Sequence, residues 1–395
     1  MAGHRTALVL GGGWGGLAVA HRLRDRLPAD HRVVVIEAKS TFSLCTSYLW
    51  LLSGERERPE EVRRDLSKLA RPGIEWVHDE IESIDPAKRW VRTRSGTLEA
   101  DDLVIALGAD LAPEDVPGLA ETALNLYSAE DVVRLRETLA SFREGRILLL
   151  VARTPFKCPA APYEAALVID SVLRASGARD RTEIVMCTPE KQPMPVAGPE
   201  VGAAISSMLE GRGIDYRPGW TVSSVDAATM TAQFDGETVG FDLLVAVPPH
   251  RAPRVLTDAG LTDSSGYVPA HPQTLEILAD GESLETRYPG VFVLGDAAAI
   301  RLMNGMLLPK AGVFAEGEAN VVAENIAARV EGREPRARFD GNGFCYLEVG
   351  GGMAAYASGG FYAYPAPRVV LEPPSPEYKR AKQEFERVLE TWFAP

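Results

Sequence analysis

Runs of consecutive apolar residues recur along the chain, and each is followed by glycine, proline or polar turn residues. Runs of about four to eight residues are typical of strands buried on both faces of a parallel sheet, and the amphipathic stretches between them are typical of covering helices. We predict strands at residues 6–10, 32–36, 102–110, 146–152, 182–187, 241–247 and 289–294. This alternation of strands and helices predicts an α/β fold.

A glycine-rich loop follows the first predicted strand and opens directly into a helix with the sequence LAVAHRLRDRL. The loop consists of Gly11, Gly12, Gly13, Trp14, Gly15 and Gly16. Its GxGxxG spacing allows a tight turn, a close approach of the backbone to a pyrophosphate, and close packing of the helix on the strand. The next strand ends at Glu37, whose carboxylate can accept hydrogen bonds from an adenosine ribose. Together these features predict a dinucleotide-binding site.

The strand pattern runs through two successive units and then returns to the first. The run at residues 102–110 contains Gly108 and completes a three-layer unit of the type that binds FAD. We therefore predict two Rossmann-like, three-layer dinucleotide-binding domains of the FAD/NAD(P)-linked reductase type. The FAD-binding domain comprises residues 1–112 and 252–330, and the second domain comprises residues 113–251. Residues 331–395 form a small C-terminal segment.

The second domain has no glycine-rich loop after its central strand at residues 146–152. A flavoprotein that uses NADH would need such a loop, so that backbone N–H groups could approach a pyrophosphate. The sequence FKCPAAPYE stands in its place, and Pro159 and Pro162 restrict the backbone around small residues. We expect Cys158 near the crevice in which open α/β sheets bind ligands. The domain is therefore predicted to be degenerate for NAD. If a flavin is bound nearby, Cys158 is a candidate for passing electrons to it.

Two charged residues follow the last strand of the first domain. Asp296 comes directly after residues 289–294, where it could cap the next helix or bind a hydroxyl group of the cofactor. A helix is predicted at residues 308–330, with Lys310 near its start. Lys310 and the helix N-terminus could face the negative charge of a reduced flavin, or Lys310 could be an ordinary surface charge.

The C-terminal segment differs in composition from the rest of the chain. Residues 339–366 are rich in glycine and aromatic residues, contain Cys345, and are typical of an antiparallel hairpin. A helix with Ser375 as its N-cap is predicted at residues 376–393. Its apolar stripe consists of Tyr378, Phe385, Leu389 and Trp392. Because its charges balance and a membrane-surface helix would be richer in Lys and Arg, we expect packing on the protein or a partner rather than on lipid.

Composition restricts the classes of function. The chain of 395 residues has a net charge of −13, which argues against a nucleic-acid partner and against adhesion to an anionic membrane surface. The first apolar strand begins too early for a cleavable leader, and no apolar run is long enough to span a bilayer. We therefore expect a cytoplasmic protein, with any membrane contact peripheral and at the inner face. The sequence leaves open whether the protein forms a homodimer.

The four cysteines are too few for a disulfide scaffold and lack zinc-type spacing, so no metal site is predicted. Cys187 ends an apolar run and is expected to fill the core. Cys45 lies in a less regular segment, residues 40–54, and its residue type alone predicts a small buried hydrophobe.

The chain resembles the sulfide-oxidising flavoproteins, namely flavocytochrome c sulfide dehydrogenase and sulfide:quinone oxidoreductase. The resemblance covers nearly the whole chain and rests on the segments GGGWGGLAVA, FSLCTSYLWLLSG, FKCPAAPYE, VLGDA, LPKAG and GFCY. It implies bound FAD, with Cys158 and Cys345 on one face of the isoalloxazine ring as a redox pair. It also implies a covalent bond from Cys45 to the flavin 8α-methyl group.

The resemblance implies how such a pair would act. Sulfide, or a small thiol or persulfide, would attack a Cys158–Cys345 disulfide, leaving a persulfide on one sulfur and a thiolate on the other, which adds to flavin C4a. Lys310 would stabilise the charge that arrives on the ring. Glu164 is a candidate general acid/base, or simply a carboxylate in the first turn of a helix. Electrons would then pass to a quinone or to a cytochrome-type protein acceptor.

Two features depart from the family pattern. The chain has no cysteine near Asn125, where sulfide:quinone oxidoreductases often carry a third one, and it has one C-terminal amphipathic helix where those enzymes tend to have two. Two alternative functions stay open. One is an NAD(P)H-dependent flavin reductase of the same fold. The other is a flavin-bearing electron-transfer subunit in which a structural disulfide contributes about 4 to 5 kcal/mol on the chain-entropy model.

Overall fold

A computed structural model describes residues 5–281, 283 and 285–393 and contains two parallel five-stranded sheets. The prediction that the chain has no cleavable leader concerns residues 1–4, which lie outside the described residues. The first sheet has the spatial order Val291–Val293, Asp102–Ile105, Thr6–Leu10, Arg32–Glu37, Ile74–His78. The second has the order Leu124–Asn125, Leu243–Val247, Gly145–Val151, Thr182–Thr188, Asp215–Pro218. The predicted α/β fold with two Rossmann-like sheets is confirmed, whereas the exact domain boundaries stay a prediction.

Helices cover the sheets, since the strands are apolar on both faces. The α-helices span Trp14–Arg26, Tyr48–Ser53, Leu119–Thr122, Ala129–Ser141, Ala161–Ser176, Pro199–Glu210, Arg254–Asp258, Gly312–Val330, Pro376–Glu386 and Val388–Trp392. The helices Trp14–Arg26 and Gly312–Val330 pack against each other beside the first sheet. Together they cover the sheet next to the glycine-rich loop.

Smaller sheets extend the two units. One consists of Ile81–Asp85, Trp90–Thr93 and Gly96–Glu99, and another of Ser224–Asp226, Thr231–Gln233 and Thr238–Gly240. The C-terminal segment contributes Asn342–Gly350, Met353–Gly360 and Arg368–Ser375. Two-stranded pairs join Thr41–Ser43 to Arg63–Asp65, Asp110–Leu111 to His250–Arg251, and Val268–Pro269 to Ala298–Ala299. The predicted C-terminal hairpin is confirmed and gains a third strand.

The helix predicted at residues 308–330 is shorter than expected, and this prediction was wrong at its start. The helix begins at Gly312, and Ala311 before it is extended, with φ −144° and ψ 147°. Lys310 forms a parallel bridge with Lys157 of the cysteine loop. This pairing across the two domains holds the segment before Gly312 out of the helix, which local sequence could not reveal.

The segment predicted to be irregular, residues 40–54, contains the helix Tyr48–Ser53. Its residues from Tyr48 to Leu52 are all buried. A helix buried on every side has no polar face, so the alternation that marks an amphipathic helix is missing.

The C-terminal helix packs on the protein, as expected from its balanced charges. It ends at Glu386 and resumes as Val388–Trp392, so the single predicted helix is divided at Arg387. Phe385 stacks on Trp14 with 5.2 Å between ring centroids, and Trp392 is buried in the core of the first domain. Across the described ranges of the chain, no helix is both long and apolar enough to cross a membrane.

Candidate active site

Cys158 lies in the loop between the strand Gly145–Val151 and the helix Ala161–Ser176. Its φ of 52° is unusual for a residue other than glycine. Two backbone hydrogen bonds stabilise this conformation: its N–H donates to the carbonyl oxygen of Lys310 at 2.7 Å, and its own carbonyl accepts the N–H of Ala161 at 2.9 Å. The thiol is therefore carried on backbone that is tied to both domains.

Cys345 lies on the C-terminal strand Asn342–Gly350, opposite Ala357. Cys158 and Cys345 line one cavity of about 360 Å³. Most of its remaining wall is apolar, with Phe156, Met194, Leu308, Phe344 and Phe361 among the contributors. Both cysteines are free thiols. The fold thus brings together the two cysteines that the sequence analysis selected, although they lie far apart along the chain.

The two thiols lie in surroundings that oppose ionisation. Burial raises the pKa of Cys158 well above its usual value and raises that of Cys345 to about 12, and the nearby negative charge of Glu164 adds to both shifts. The positive charge of Lys382 opposes them. Because the thiolate is the reactive form, either cysteine needs a group that removes its proton.

Glu164 lies in the first turn of the helix Ala161–Ser176 and is buried. Its Oε1 accepts the backbone N–H of Glu348 at 2.8 Å and bonds Lys382 Nζ at 3.1 Å. Burial raises the pKa of Glu164 above its usual range, against the lowering effect of Lys382. Glu164 is therefore a first-turn carboxylate that lines the small cavity with Cys158, and its role as a general acid/base stays a prediction.

Lys379 and Lys382 lie beside the site, and the sequence analysis selected neither of them. Both belong to the balanced charges of the C-terminal helix, and both are buried. Lys379 Nζ bonds Glu348 Oε2 at 2.8 Å, and Lys382 Nζ bonds Glu348 Oε1 at 3.1 Å. Their spacing of three residues does place them on one helix face, which is the signal that could have been used.

Lys310 is buried, so the alternative of a surface lysine was wrong. Its Nζ donates to the carbonyl oxygens of Asp296 at 2.6 Å and Ala298 at 3.0 Å, and it lies 3.4 Å from the ring centroid of Tyr267. Burial lowers the pKa of Lys310 to about 8. The side chain fixes the loop after the strand Val291–Val293, and it also lines the cavity with the two cysteines.

The glycine-rich loop has the geometry of a dinucleotide cradle. Gly11 has a φ of +105°, and a Cβ added at Gly16 would lie 1.9 Å from the carbonyl oxygen of Gly11, so only glycine allows the helix to approach the strand this closely. A Cβ at Gly13 would meet no protein atom within 4 Å, which leaves its backbone open to a ligand. At Gly15 a Cβ would lie 2.4 Å from Leu294 Cδ1.

Polar groups around this loop fit a nucleotide. Glu37 accepts the backbone N–H groups of Gly12 at 2.8 Å and Lys39 at 2.9 Å, which orients its carboxylate at the end of the strand. The side chain of Asp296 caps no helix N–H within the described residues, so the N-cap alternative was wrong. Gly108, with a φ of +71°, leaves open space where a Cβ would be. The residues present therefore fit the pyrophosphate, ribose and ribityl groups of FAD.

Trp14 and Cys45 were both predicted to contact FAD, and each also contacts other parts of the protein. Trp14 packs between Phe385 and Trp392 of the C-terminal helices, with ring centroids 5.2 and 4.9 Å away. Cys45 begins a 3₁₀ turn, Cys45–Ser47, and is half-buried. It lines a small cavity of about 30 Å³ together with Cys158 and Glu164. Cys45 thus lines a cavity with Cys158, whereas Cys187 is fully buried in the core as predicted.

Among the described residues 113–251, the second domain lacks the glycine-rich cradle that the first domain possesses. Nine residues, 152–160, separate the strand Gly145–Val151 from the next helix, and Phe156 among them is buried. The first turn of that helix contains the buried carboxylate of Glu164, where a nucleotide-binding domain would hold a phosphate. Glu190, after the neighbouring strand, accepts a hydrogen bond of 2.5 Å from the Tyr163 hydroxyl.

Two family models match overlapping parts of the chain. Residues 5–151 match the pyridine nucleotide-disulphide oxidoreductase family, and residues 132–248 match the central part of the sulfide dehydrogenase [flavocytochrome c] flavoprotein chain. The second match contains the cysteine loop. The mitochondrial sulfide:quinone oxidoreductase of Mus musculus is 26% identical over 377 residues, which cover 92% of this chain and 79% of that protein.

Further relatives agree on the fold. The alternative NAD(P)H-ubiquinone oxidoreductase C1 of Arabidopsis thaliana is 27% identical over 362 residues, 82% of this chain and 67% of that protein. The X-ray structure of the sulfide:quinone oxidoreductase from Aquifex aeolicus superposes with a TM-score of 0.84 at 23% identity and covers 97% of this chain and 90% of that one. The chain is therefore similar over most of its length to sulfide:quinone oxidoreductases, and it has the fold of the FAD-binding pyridine nucleotide-disulphide oxidoreductases.

Proposed function

We propose that the protein oxidises sulfide, or a small thiol or persulfide, and passes the electrons to a quinone. The observation that carries this proposal is the convergence of Cys158 and Cys345 on one cavity beside Lys310. A buried pair of thiols at the end of a degenerate nucleotide-binding domain suits sulfur chemistry better than hydride transfer from NADH. Sulfide as the substrate and a quinone as the acceptor are inferred from the similarity to sulfide:quinone oxidoreductases, and the role of the cysteines is inferred from their position.

The cysteines act as a reversible disulfide. A hydrosulfide ion attacks one sulfur of the oxidised pair, the bond between Cys158 and Cys345 breaks, and a persulfide forms on the attacked cysteine while the other leaves as a thiolate. A second nucleophile removes the outer sulfur and leaves two reduced cysteines. When the disulfide forms again, two electrons leave the sulfurs, and any remaining thiol proton passes to a base. FAD, when bound, supplies the two-electron acceptor for this step.

The residues around the pair have separate roles in this scheme. Glu164 holds the proton that leaves a thiol, because it is buried beside both cysteines and its pKa is raised. Lys310 fixes the loop that contains Asp296 through its two carbonyl hydrogen bonds. Gly11, Gly13, Gly16 and Glu37 bind the adenosine diphosphate part of FAD. Cys45 is the proposed point of covalent attachment.

Anaerobic addition of sulfide to the purified yellow protein tests this function. We expect loss of the visible flavin absorption on adding sulfide and its return on adding a soluble quinone. Sulfide that leaves the flavin oxidised would contradict the proposal.

A second candidate, an NAD(P)H-dependent reductase, is favoured by the similarity to the Arabidopsis thaliana enzyme. It is opposed by residues 152–160, which lack the glycines of a phosphate cradle, and by the carboxylate of Glu164 at the helix start. Stopped-flow mixing with NADH separates the two candidates. Rapid flavin reduction by NADH would favour the reductase, whereas we expect none on the time scale of the sulfide reaction.

A further inference from the structure

The C-terminal helix Pro376–Glu386 places two lysines inside the protein. The side chains of Lys379 and Lys382 are 7% and 8% exposed, and both form ion pairs with Glu348. Their second partners differ. Lys382 Nζ lies 3.1 Å from Glu164 Oε1, whereas Lys379 Nζ lies 2.8 Å from Glu55 at the edge of the cluster. The two lysines are therefore alike in burial and in their contact with Glu348 but differ in their contact with Glu164, which makes Lys379 a matched control for Lys382.

Glu164, the partner that Lys382 does not share with Lys379, lies beside the cysteines. Glu164 and Cys158 line the small cavity, and Cys158 and Cys345 line the large one. Two charged groups act on both thiols, namely Glu164 from the helix Ala161–Ser176 and Lys382 from the C-terminal helix. In addition, Cys345 acts on Cys158, and Cys158 acts on the hydroxyl of Tyr127. Lys382 is thus a positive charge in this set that comes from outside the two nucleotide-binding domains.

The charges of the cluster restrict what the thiols can do. The charges of its four buried members, Glu164, Glu348, Lys379 and Lys382, sum to zero when all four are charged, while Glu55 at the edge is 38% exposed. A thiol that lost its proton to solvent would leave an additional negative charge buried, which is costly. If the proton moves from Sγ to the carboxylate of Glu164, the number of negative charges stays the same and no proton leaves the site.

We propose that Lys382 is a positioning residue that supplies the counter-charge for this proton exchange. Lys382 pairs with the Glu164 carboxylate while the cysteines are protonated. After Glu164 has taken the proton, the same ammonium stabilises the thiolate of Cys158 or Cys345. The C-terminal helix is therefore part of the active site, and its displacement makes the thiols unreactive.

This inference deepens the proposed function and rests on the role given there to the cysteine pair, but its test measures thiol reactivity directly. The reduced, FAD-bound protein is treated with iodoacetamide over a range of pH. Mass spectrometry then gives the alkylation rates of the peptides that contain Cys158, Cys345 and Cys187. The variants are Lys382→Met, the matched control Lys379→Met, and Lys382→Arg.

We expect Lys382→Met to slow alkylation of Cys158 and Cys345 about tenfold near neutral pH, because a rise of about one pKa unit reduces the thiolate fraction by that factor. Lys379→Met should change these rates by less than about twofold, and Lys382→Arg should retain most of the reactivity since its charge persists. Equal effects of the two methionine variants, or no effect of either, would overturn the proposal.

Cys187 reports on folding in the same experiment, because it is fully buried in the core. Slow alkylation of Cys187 in every variant shows that the core is intact and that the alkylation rates of the variants can be compared. If Lys382→Met exposes Cys187, Lys382→Gln replaces it, since an amide can still donate a hydrogen bond to Glu164 without a charge, and the same rate criterion applies. Sulfide reduction of the wild-type flavin is recorded separately, so failure of the proposed function and failure of the Lys382 inference remain distinguishable.

Discussion

The backbone N–H of Cys158 donates a hydrogen bond of 2.7 Å to the carbonyl oxygen of Lys310. This bond joins the loop of the second domain to the segment that precedes the helix Gly312–Val330 of the first. The register is reinforced by the bridge between Lys157 and Lys310. The position of Cys158 relative to the flavin-binding domain is therefore determined by backbone pairing, and a covalent crosslink is not required for it.

The glycine-rich loop gives a prediction that separates folding from cofactor binding. A Cβ at Gly16 would lie 1.9 Å from the Gly11 carbonyl oxygen, so Gly16→Ala must displace the helix Trp14–Arg26 from the strand. We expect a loss of stability of about 1 to 3 kcal/mol or more, because added atoms in a tightly packed contact force the backbone to shift. Urea unfolding of the FAD-free protein measures it, with both glycine variants made in the Cys45→Ser background so that FAD can be removed and added back.

Gly13→Ala is the matched control, since its Cβ would meet no protein atom within 4 Å. We expect the FAD-free protein to keep its stability, but FAD affinity to fall because the methyl group occupies the space of the pyrophosphate. Quenching of FAD fluorescence measures the affinity. Equal losses of stability in the two variants would contradict the assignment of separate roles.

Cys45 is predicted to hold FAD covalently. Because a thioether survives denaturation, acid precipitation of the wild-type protein should leave the yellow colour in the pellet. Cys45→Ser should release free FAD into the supernatant. Free FAD from the wild-type protein would refute the covalent bond, and it would leave the roles of Cys158 and Cys345 untouched.

The sequence predicted the parts of the site that are encoded locally. The spacing of Gly11, Gly13 and Gly16 between a strand and a helix determines a loop geometry almost by itself, and the structure has that geometry. Cys158 was selected because prolines replaced the expected glycines beside it. Such signals depend on neighbours within a few residues, so they can be read without the fold.

Other parts of the site depend on contacts between distant segments. Lys382 was not selected from the sequence, because lysine is seldom buried and burial of its ammonium becomes favourable only through Glu164 and Glu348. Likewise, the segment around Lys310 was predicted to be helical, and its pairing with Lys157 makes it extended. Tyr267, whose ring lies against Lys310, carried no sequence signal at all.

Glu190 gives a prediction for the dependence of stability on pH. Burial raises the pKa of Glu190 to about 7 in the folded protein, against a usual carboxyl value of about 4.3 in an unfolded chain. The folded state binds the proton more tightly. The contribution of Glu190 to stability is therefore present below the unfolded pKa and is lost as the pH rises through about 7. The loss is on the order of 3 kcal/mol.

We expect Glu190→Gln to reduce the decrease in the free energy of unfolding between mildly acidic and mildly alkaline pH. Urea unfolding at both ends of that range measures it. Glu318, whose pKa is also raised to about 7 by burial, should preserve part of the decrease in this variant. A pH dependence identical to that of the wild-type protein would contradict the assignment to Glu190.

The central claim is that Cys158 and Cys345 together carry electrons from sulfide to bound FAD, and Cys345→Ser tests it most directly. Cys187→Ala is the control, since that cysteine is buried in the core away from the cavity. The measurement is the visible flavin absorption during anaerobic titration with sulfide. We predict that the wild-type protein and Cys187→Ala lose this absorption, while Cys345→Ser keeps an unaltered oxidised flavin spectrum throughout. Reduction of Cys345→Ser by sulfide at the wild-type rate would contradict the account.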